Sequence, residues 1–269
     1  MPIKDILVHI DNSHHCGVLL DLAIGLARKH QARLTGLHVI SHPHYKPQLA
    51  TVEATAEELR ACFSKKTAES KISAEWQCIE SAVSGVSMAE IVNFHALYKD
   101  LVIVGQADHT ATSDNVEYDL PERVVLGAGR PVLIIPYAGT FKSVGEQVMI
   151  AWKAGRESTR ALHDAMPFLL TAREVGVVSV NPPVEAESSD KEPCGEICAH
   201  LACHGIHAKV EELVGTTIPV GDVLLNQSWE NGCDLLVMGA YTHSPRGFVL
   251  GTIAKDILRH MTLPVLMSH

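Results

Sequence analysis

The sequence predicts an α/β protein made of two tandem open parallel sheets, each of five strands flanked by helices, and three observations carry that prediction. The chain has 269 residues, which at about 150 residues per domain suggests two domains. A block repeats: Asp100-Leu101-Val102-Ile103-Val104-Gly105 returns as Asp234-Leu235-Leu236-Val237-Met238-Gly239, and an internal repeat is the first signal to weigh in assigning architecture. Each copy is followed, at a similar distance, by a second apolar run: Arg130-Pro131-Val132-Leu133-Ile134 in the first half and Leu263-Pro264-Val265-Leu266-Met267 in the second.

The elements follow in order. An apolar run at residues 6–10 reads as a strand. After a polar turn, Leu19, Leu22, Ala23, Leu26 and Ala27 recur at helical spacing and fall on one face. Residues 34–40 are rich in Leu, Val and Ile, as a strand buried on both faces of a parallel sheet must be. Strand and helix then alternate to Pro136, which closes the last strand of the first half. The second half repeats the plan with a strand at 148–152, a helix carrying Ala161, Leu162, Ala165, Met166 and Leu169, and a strand at 175–180. Right-handed crossovers follow by default. The boundary falls between Tyr137 and Glu146, giving domains 1–140 and 146–269. A linker this short predicts that the halves pack as an internal pseudo-dimer.

Composition narrows the function. Hydrophobic residues are 46% and charged residues 20% of the chain, enough for a core in each half. The charge is 22 − 31 = −9, the wrong sign for a partner that is nucleic acid or an anionic membrane. No apolar run reaches the roughly 18 residues of a membrane span, and the N-terminus lacks a secretory pattern, so the cytoplasm is expected. Seven scattered cysteines, an odd number, read as reduced thiols rather than a disulfide framework.

Ligands of open α/β sheets bind at the carboxyl ends of the strands. There the second half places Gly239-Ala240-Tyr241-Thr242-His243-Ser244-Pro245-Arg246-Gly247-Phe248-Val249-Leu250-Gly251-Thr252, read as a loop entering a helix at 253–260. Glycine lets backbone approach an anion closely, and Gly251 and Thr252 offer N–H groups at a helix start, so a phosphate fits.

This segment and the tandem plan resemble the universal stress protein family, whose adenine-nucleotide-binding members carry Gly-x2-Gly-x9-Gly-Ser/Thr after the fourth strand. The resemblance covers nearly the whole chain in two copies. It is strengthened by Asp-Leu-x-Val-x-Gly in both halves, by Leu258-Arg259-His260 before the last strand, and by Asp11 at the end of the first. It implies a Rossmann-like, adenine nucleotide alpha hydrolase-like fold, and a regulatory module that binds ATP or ADP, with or without Mg, during stress. The implied nucleotide site is Gly239, Ala240, Thr242, His243, Arg246, Gly251 and Thr252, with Val180 near the base and Lys153 at the first-strand position. Asp11, Val39 and Gly105 are its vestigial counterparts in the first half.

Two departures bear on the ligand. Thr242 stands where the family has its second glycine, a position that favours φ > 0, and the spacer from His243 to Leu250 is one residue short. Lys153 replaces the family's aspartate. In the first half Asp11 is kept but the glycine loop is lost, and Asp108, Asp114, Glu117, Asp119 and Glu122 would repel a phosphate.

Other readings stand beside these. The second-half loop is either a nucleotide site or an inherited turn. Asp11 either meets a ligand or caps the following loop and helix. Lys153 either contacts an anion or pairs with Glu157. The histidines His9, His14, His15, His38, His42 and His44 gather at one edge of the first half, and Cys194, Cys198, Cys203, His204 and His207 form a second group. Neither has the spacing of a closed zinc motif, so no metal site is assigned. Ser13-His14 and His243-Ser244 lack the elbow of a nucleophile, and no P-loop is present, so no catalytic residue is assigned beyond weak ATP hydrolysis. The alternative function is a nucleotide-free interaction scaffold, or a binder of another small anion or a metal. Partners expected are a nucleotide, a protein and a second copy of the chain.

Overall fold

The computed structural model describes residues 2–40, 49–80, 86–107, 117–181, 194–213, 217–244 and 247–269, with the side chains of 49–53 and 241–248 outside the description. The chain divides into two compact units, Pro2–Lys142 and Ser143–His269.

The first unit runs β1 (Asp5–His9), α1 (Cys16–His30), β2 (Arg33–Ile40), α2 (Leu49–Glu69), β3 (Ala74–Glu80), α3 (Met88–Ala96), β4 (Leu101–Gly105), α4 (Leu120–Gly127) and β5 (Val132–Ile135). Its strands are parallel and ordered β3-β2-β1-β4-β5. Ile6, Leu7, Val8, Leu101, Ile103, Leu133 and Ile134 are fully buried, as expected of central strands covered by helices on both faces. The face of α1 read from periodicity is the buried one: Leu19, Leu22, Ala23, Leu26 and Ala27 all lie in the core. Arg28, Lys29 and His30 in its last turn suit the negative end of the helix dipole. Ser87 and Glu90 form a reciprocal capping box at the start of α3.

At the amino ends of these strands the ammonium of Lys99, almost wholly buried, donates to Asp5 Oδ1 at 2.9 Å and to Thr35 Oγ1 at 2.8 Å. Arg33 pairs with the other oxygen of Asp5. This end is closed by ion pairs, which leaves the carboxyl end as the edge open to a ligand.

The second unit runs β6 (Gln147–Ala151), α5 (Arg156–Leu169), β7 (Glu174–Val180), α6 (Gly195–Cys203), β8 (Ala208–Leu213), α7 (Val220–Glu230), β9 (Leu235–Gly239), β10 (Tyr241–Ser244), β11 (Gly247–Leu250), α8 (Thr252–His260) and β12 (Val265–Ser268). Its parallel sheet is ordered β12-β9-β6-β7-β8, the order of the first unit repeated. Ala161, Leu162, Ala165, Met166 and Leu169 form the buried face of α5.

Element bounds differ from the sequence reading by one residue: the first strand of each unit begins at Asp5 and Gln147, the second at Arg33 and Glu174, and the last helix at Thr252. Ile10 and Trp152 still extend the ladder, donating to Leu37 O and Val178 O at 2.8 Å. The larger correction is β10–β11: the segment read as an open loop is an antiparallel hairpin with Thr242 opposite Val249 and His243 opposite Phe248. Tyr, Thr, Phe and Val favour extended backbone, and four-residue strands around a two-residue connection suffice to pair.

Candidate functional site at the carboxyl edge of the second sheet

Strand order reverses between β6 and β9, since β6 continues to β7 and β9 to β12. That topological switch point opens a crevice at their carboxyl ends. Ala151, then Trp152 and Lys153, leave β6 there, and Gly239 and Ala240 leave β9.

Gly239 is fixed by packing. A Cβ on it would stand 2.7 Å from both the carbonyl carbon and the Cβ of Glu157, so the first turn of α5 lies directly on this glycine. Ala240 is buried; its N–H donates to Ser268 O at 3.0 Å and its carbonyl accepts from Gly251 N at 3.1 Å. That last bond closes the hairpin and brings Gly251 back beside β9, where it is the N-cap of α8. Gly251 has φ −63° and ψ 152° and, as a glycine, makes no side-chain capping bond. The first turn of α8 holds no acid, while Arg259 and His260 sit in its last turn. Thr252 is exposed at the first helical position. The leading N–H groups of a helix have no acceptor within it and carry partial positive charge.

Thr242 and His243 lie in β10. The left-handed backbone that the family's glycine position favours is not adopted by Thr242, because strand pairing with Val249 requires extended backbone. Arg246 lies outside the described residues. Val180 ends β7 half-buried. Lys153 is exposed, its backbone N–H donates to Ser158 Oγ at 3.4 Å, and its ammonium forms no ion pair among the described residues. The pairing with Glu157 is thus not formed. The Glu157 carboxylate lies instead over Gly155, 3.4 Å from where a Cβ there would sit.

The same edge of the first unit is built differently. Asp11 Oδ1 accepts from Ser13 N at 3.0 Å. It therefore caps the loop but not α1, whose N-cap His15 makes no side-chain capping bond. Val39 is buried in β2, and Gly105 ends β4 with the Leu19 methyl 3.5 Å from a would-be Cβ, an ordinary contact. The start of α4 carries Asp119 at the N-cap and Glu122 in the first turn. Glu117, expected among acids facing a phosphate, is turned to structure: it accepts from Met88 N at 3.1 Å and pairs with Arg123 at 3.2 Å. Asp108 and Asp114 lie outside the described residues.

Of the histidine edge, His9 and His38 are buried in adjacent strands, His14 is exposed, and His15 meets Tyr137 edge-on. His42 and His44 lie outside the description. His38 Nδ1 lies 2.7 Å from Ile10 O and its ring stacks on Trp76. Among the described residues no three His, Cys, Asp or Glu side chains stand ready around one metal position. Burial pushes the His9 imidazole down to about 4, with Asp11 opposing and His38 reinforcing the shift. The folded chain thus keeps His9 neutral where the unfolded chain takes up a proton, and stability is lost as pH falls from about 6.5 towards 4. At the acid limit the loss is about 3 kcal/mol. Urea titrations across this range are expected to show the slope reduced in His9→Leu.

The cysteines are all free. Burial first, then nearby acids, pushes Cys194 up to about 12 and Cys233 up to about 11, so both are inert thiols. Burial, with Asp11 and Cys62 adding to it, likewise takes Cys16 to about 12. Cys194 is buried at the start of α6 and Cys203 is exposed at its end, so the second group does not converge.

Among the described residues no helix is long and apolar enough to cross a membrane. The sequence model of the universal stress protein family matches residues 2–136 and 146–269. A universal stress protein from Archaeoglobus fulgidus DSM 4304 superposes with a TM-score of 0.76 at 15% identity, over 100% of this chain and 99% of that one. A functionally unknown protein from Pseudomonas aeruginosa PAO1 superposes with a TM-score of 0.64 at 18% identity, over 99% and 92%. A universal stress protein solved in complex with cAMP aligns with 51% of this chain and 100% of its own, at 14% identity and a TM-score of 0.40. No curated protein matches the sequence. Two family matches, one in each α/β unit with the same strand order, place the chain in the universal stress protein family as a tandem member of adenine nucleotide alpha hydrolase-like fold.

Proposed function

We propose that the second unit binds an adenine nucleotide, ATP or ADP with or without Mg, at the carboxyl ends of β6 and β9, and that the chain acts as a regulatory module in a stress response. The observation that carries this reading is the start of α8: a helix whose N-cap glycine offers no capping side chain, with no acid in its first turn, opening at the sheet edge where the Lys153 ammonium has no ion-pair partner among the described residues. Helix-start N–H groups and a lysine together suit a phosphate chain. Gly251 and Thr252 would hold phosphate, Val180 and Ala240 would flank the base, and Thr242, His243 and Arg246 would edge the hairpin side. Among the described residues of the first unit, the start of α4 carries Asp119 and Glu122, whose charge opposes a phosphate.

Chromatography of the supernatant from denatured, freshly purified protein should release about one nucleotide per chain, and the stripped chain should take up Mg-ATP by calorimetry. Gly251→Asp is the discriminating variant. The φ and ψ of Gly251 are open to any residue, and an aspartate at an N-cap stabilises a helix, so the variant should fold. Its charge opposes phosphate, and affinity should fall about tenfold or more. Unchanged affinity would overturn the site.

The β10–β11 hairpin favours a second reading, a nucleotide-free interaction module. Thr242 and Val249 are paired with each other where the family's glycine loop meets phosphate. No nucleotide in the supernatant and no heat with ATP or ADP would establish this reading in place of the first.

A further inference from the structure

We infer, resting on the nucleotide site proposed for the second unit, that its ligand carries a phosphate on the ribose in addition to its 5′ phosphates, and that Lys153 receives that second group. The layout of the sheet edge points there. Strand order is β12-β9-β6-β7. Ala240 turns both its N–H and its carbonyl towards β12: the first donates to Ser268 O and the second accepts from Gly251 N. Gly251 therefore stands where β12 would continue. Lys153 stands just past the end of β6, and Val180 ends β7. Neighbouring strands are about 4.8 Å apart, so Lys153 and Gly251 are separated by about 10 Å along the edge.

These positions share one face of the sheet. Met149 points at α7, whose Ser228 Oγ lies 3.7 Å from its sulfur. The ladder persists to Trp152, whose N–H donates to Val178 O at 2.8 Å, so alternation carries Ala151 and then Lys153 to the side of Met149. Ala151 pairs with Val178, and Val180 follows Val178 to that side. α8 packs on α7, with Asp256 Cβ 3.3 Å from where a Cβ on Gly221 would stand, so it lies over this face as well. A nucleotide with phosphate at Gly251 and Thr252 and its base on Val180 brings its ribose over β6 and β9, within reach of Lys153.

The chemistry at that place is inverted between the two units. Ile10 N donates to Leu37 O as Trp152 N donates to Val178 O, so Asp11 is the counterpart of Lys153. A carboxylate accepts from ribose hydroxyls, whereas an ammonium only donates. In doubly wound sheets an acid hydrogen-bonds an unsubstituted ribose, and an arginine nearby accommodates a ribose phosphate instead. Lysine supplies the same positive charge. Lys153 is exposed and its ammonium forms no ion pair among the described residues, so its charge is available to a ligand. The lysine thus serves the ribose end of the ligand, and the start of α8 its 5′ end.

The test titrates the full chain, stripped of nucleotide, by calorimetry with ADP, adenosine 3′,5′-bisphosphate and adenosine 2′,5′-bisphosphate, which are equal in phosphate count. One of the bisphosphates is expected to bind about tenfold or more tighter than ADP. Lys153→Met should abolish that preference while leaving ADP affinity within about twofold. Lys153→Arg should keep the preference, and Lys153→Asp should reverse it in favour of ADP. The side chain is exposed, so all of these variants should fold as the wild type does. ADP binding as tightly as both bisphosphates, or Lys153→Met weakening ADP as much as the favoured bisphosphate, would overturn the inference and leave the nucleotide site standing. Failure of all of these nucleotides to bind the wild type would overturn it together with the nucleotide reading.

Discussion

Replacing Asp234 with alanine is expected to cost the second unit about 3–5 kcal/mol. The carboxylate stands immediately before β9 and fastens the start of β6. Oδ1 accepts from Gly145 N at 3.0 Å, Glu146 N at 2.9 Å and Gln147 N at 2.9 Å, and Oδ2 accepts from Ser143 Oγ at 2.9 Å. Alanine removes every one of these acceptors at once and leaves backbone donors at the strand entry without their partner. Urea unfolding with hydrogen-exchange mass spectrometry of the β6 peptide should show a lower midpoint and faster exchange. Asp234→Asn keeps one acceptor oxygen and should lose roughly half as much. In the first unit Asp100 does the same work with fewer bonds, accepting from Lys4 N at 2.7 Å and Asp5 N at 3.0 Å, so Asp100→Ala should cost less. A midpoint for Asp234→Ala equal to that of the wild type would refute the account.

The repeated Asp-Leu-x-Val-x-Gly block was legible as a repeat, yet its aspartate could not be read as the tie between neighbouring strands. That role appears when β9 lies beside β6. The sheets themselves were legible because central parallel strands must be apolar throughout, and because α1 and α5 each keep one apolar face. The hairpin was not, although Tyr241-Thr242 and Phe248-Val249 carry strand propensity. Glycines at both ends and a family motif pointed to a loop, and the cross-strand register that decides the matter is a pairing, not a composition. Lys153 and Glu157 have the spacing of an ion pair, but Glu157 is held where the first turn of α5 presses on Gly239.

Gly239→Ala is expected to destabilise the second unit by about 3 kcal/mol, the upper part of the range for overpacking. The added methyl would stand 2.7 Å from the backbone carbonyl carbon of Glu157 and 3.0 Å from its oxygen. Backbone at a helix start cannot yield as a side-chain tip does, so α5 must move away from the sheet. Gly105 occupies the same place in the first copy of the repeat, yet a methyl there meets a Leu19 side-chain carbon at 3.5 Å. Gly105→Ala should therefore change stability by less than about 1 kcal/mol in either direction. Urea midpoints of the two variants make the comparison, and equal losses would defeat it. The contrast separates two demands that one glycine position can serve. If Gly239→Ala weakens folding while the folded fraction still binds Mg-ATP with wild-type affinity, helix packing is what requires glycine at Gly239, and the phosphate contacts lie at Gly251 and Thr252. If affinity falls along with stability, the seat of α5 on β9 is what shapes the crevice.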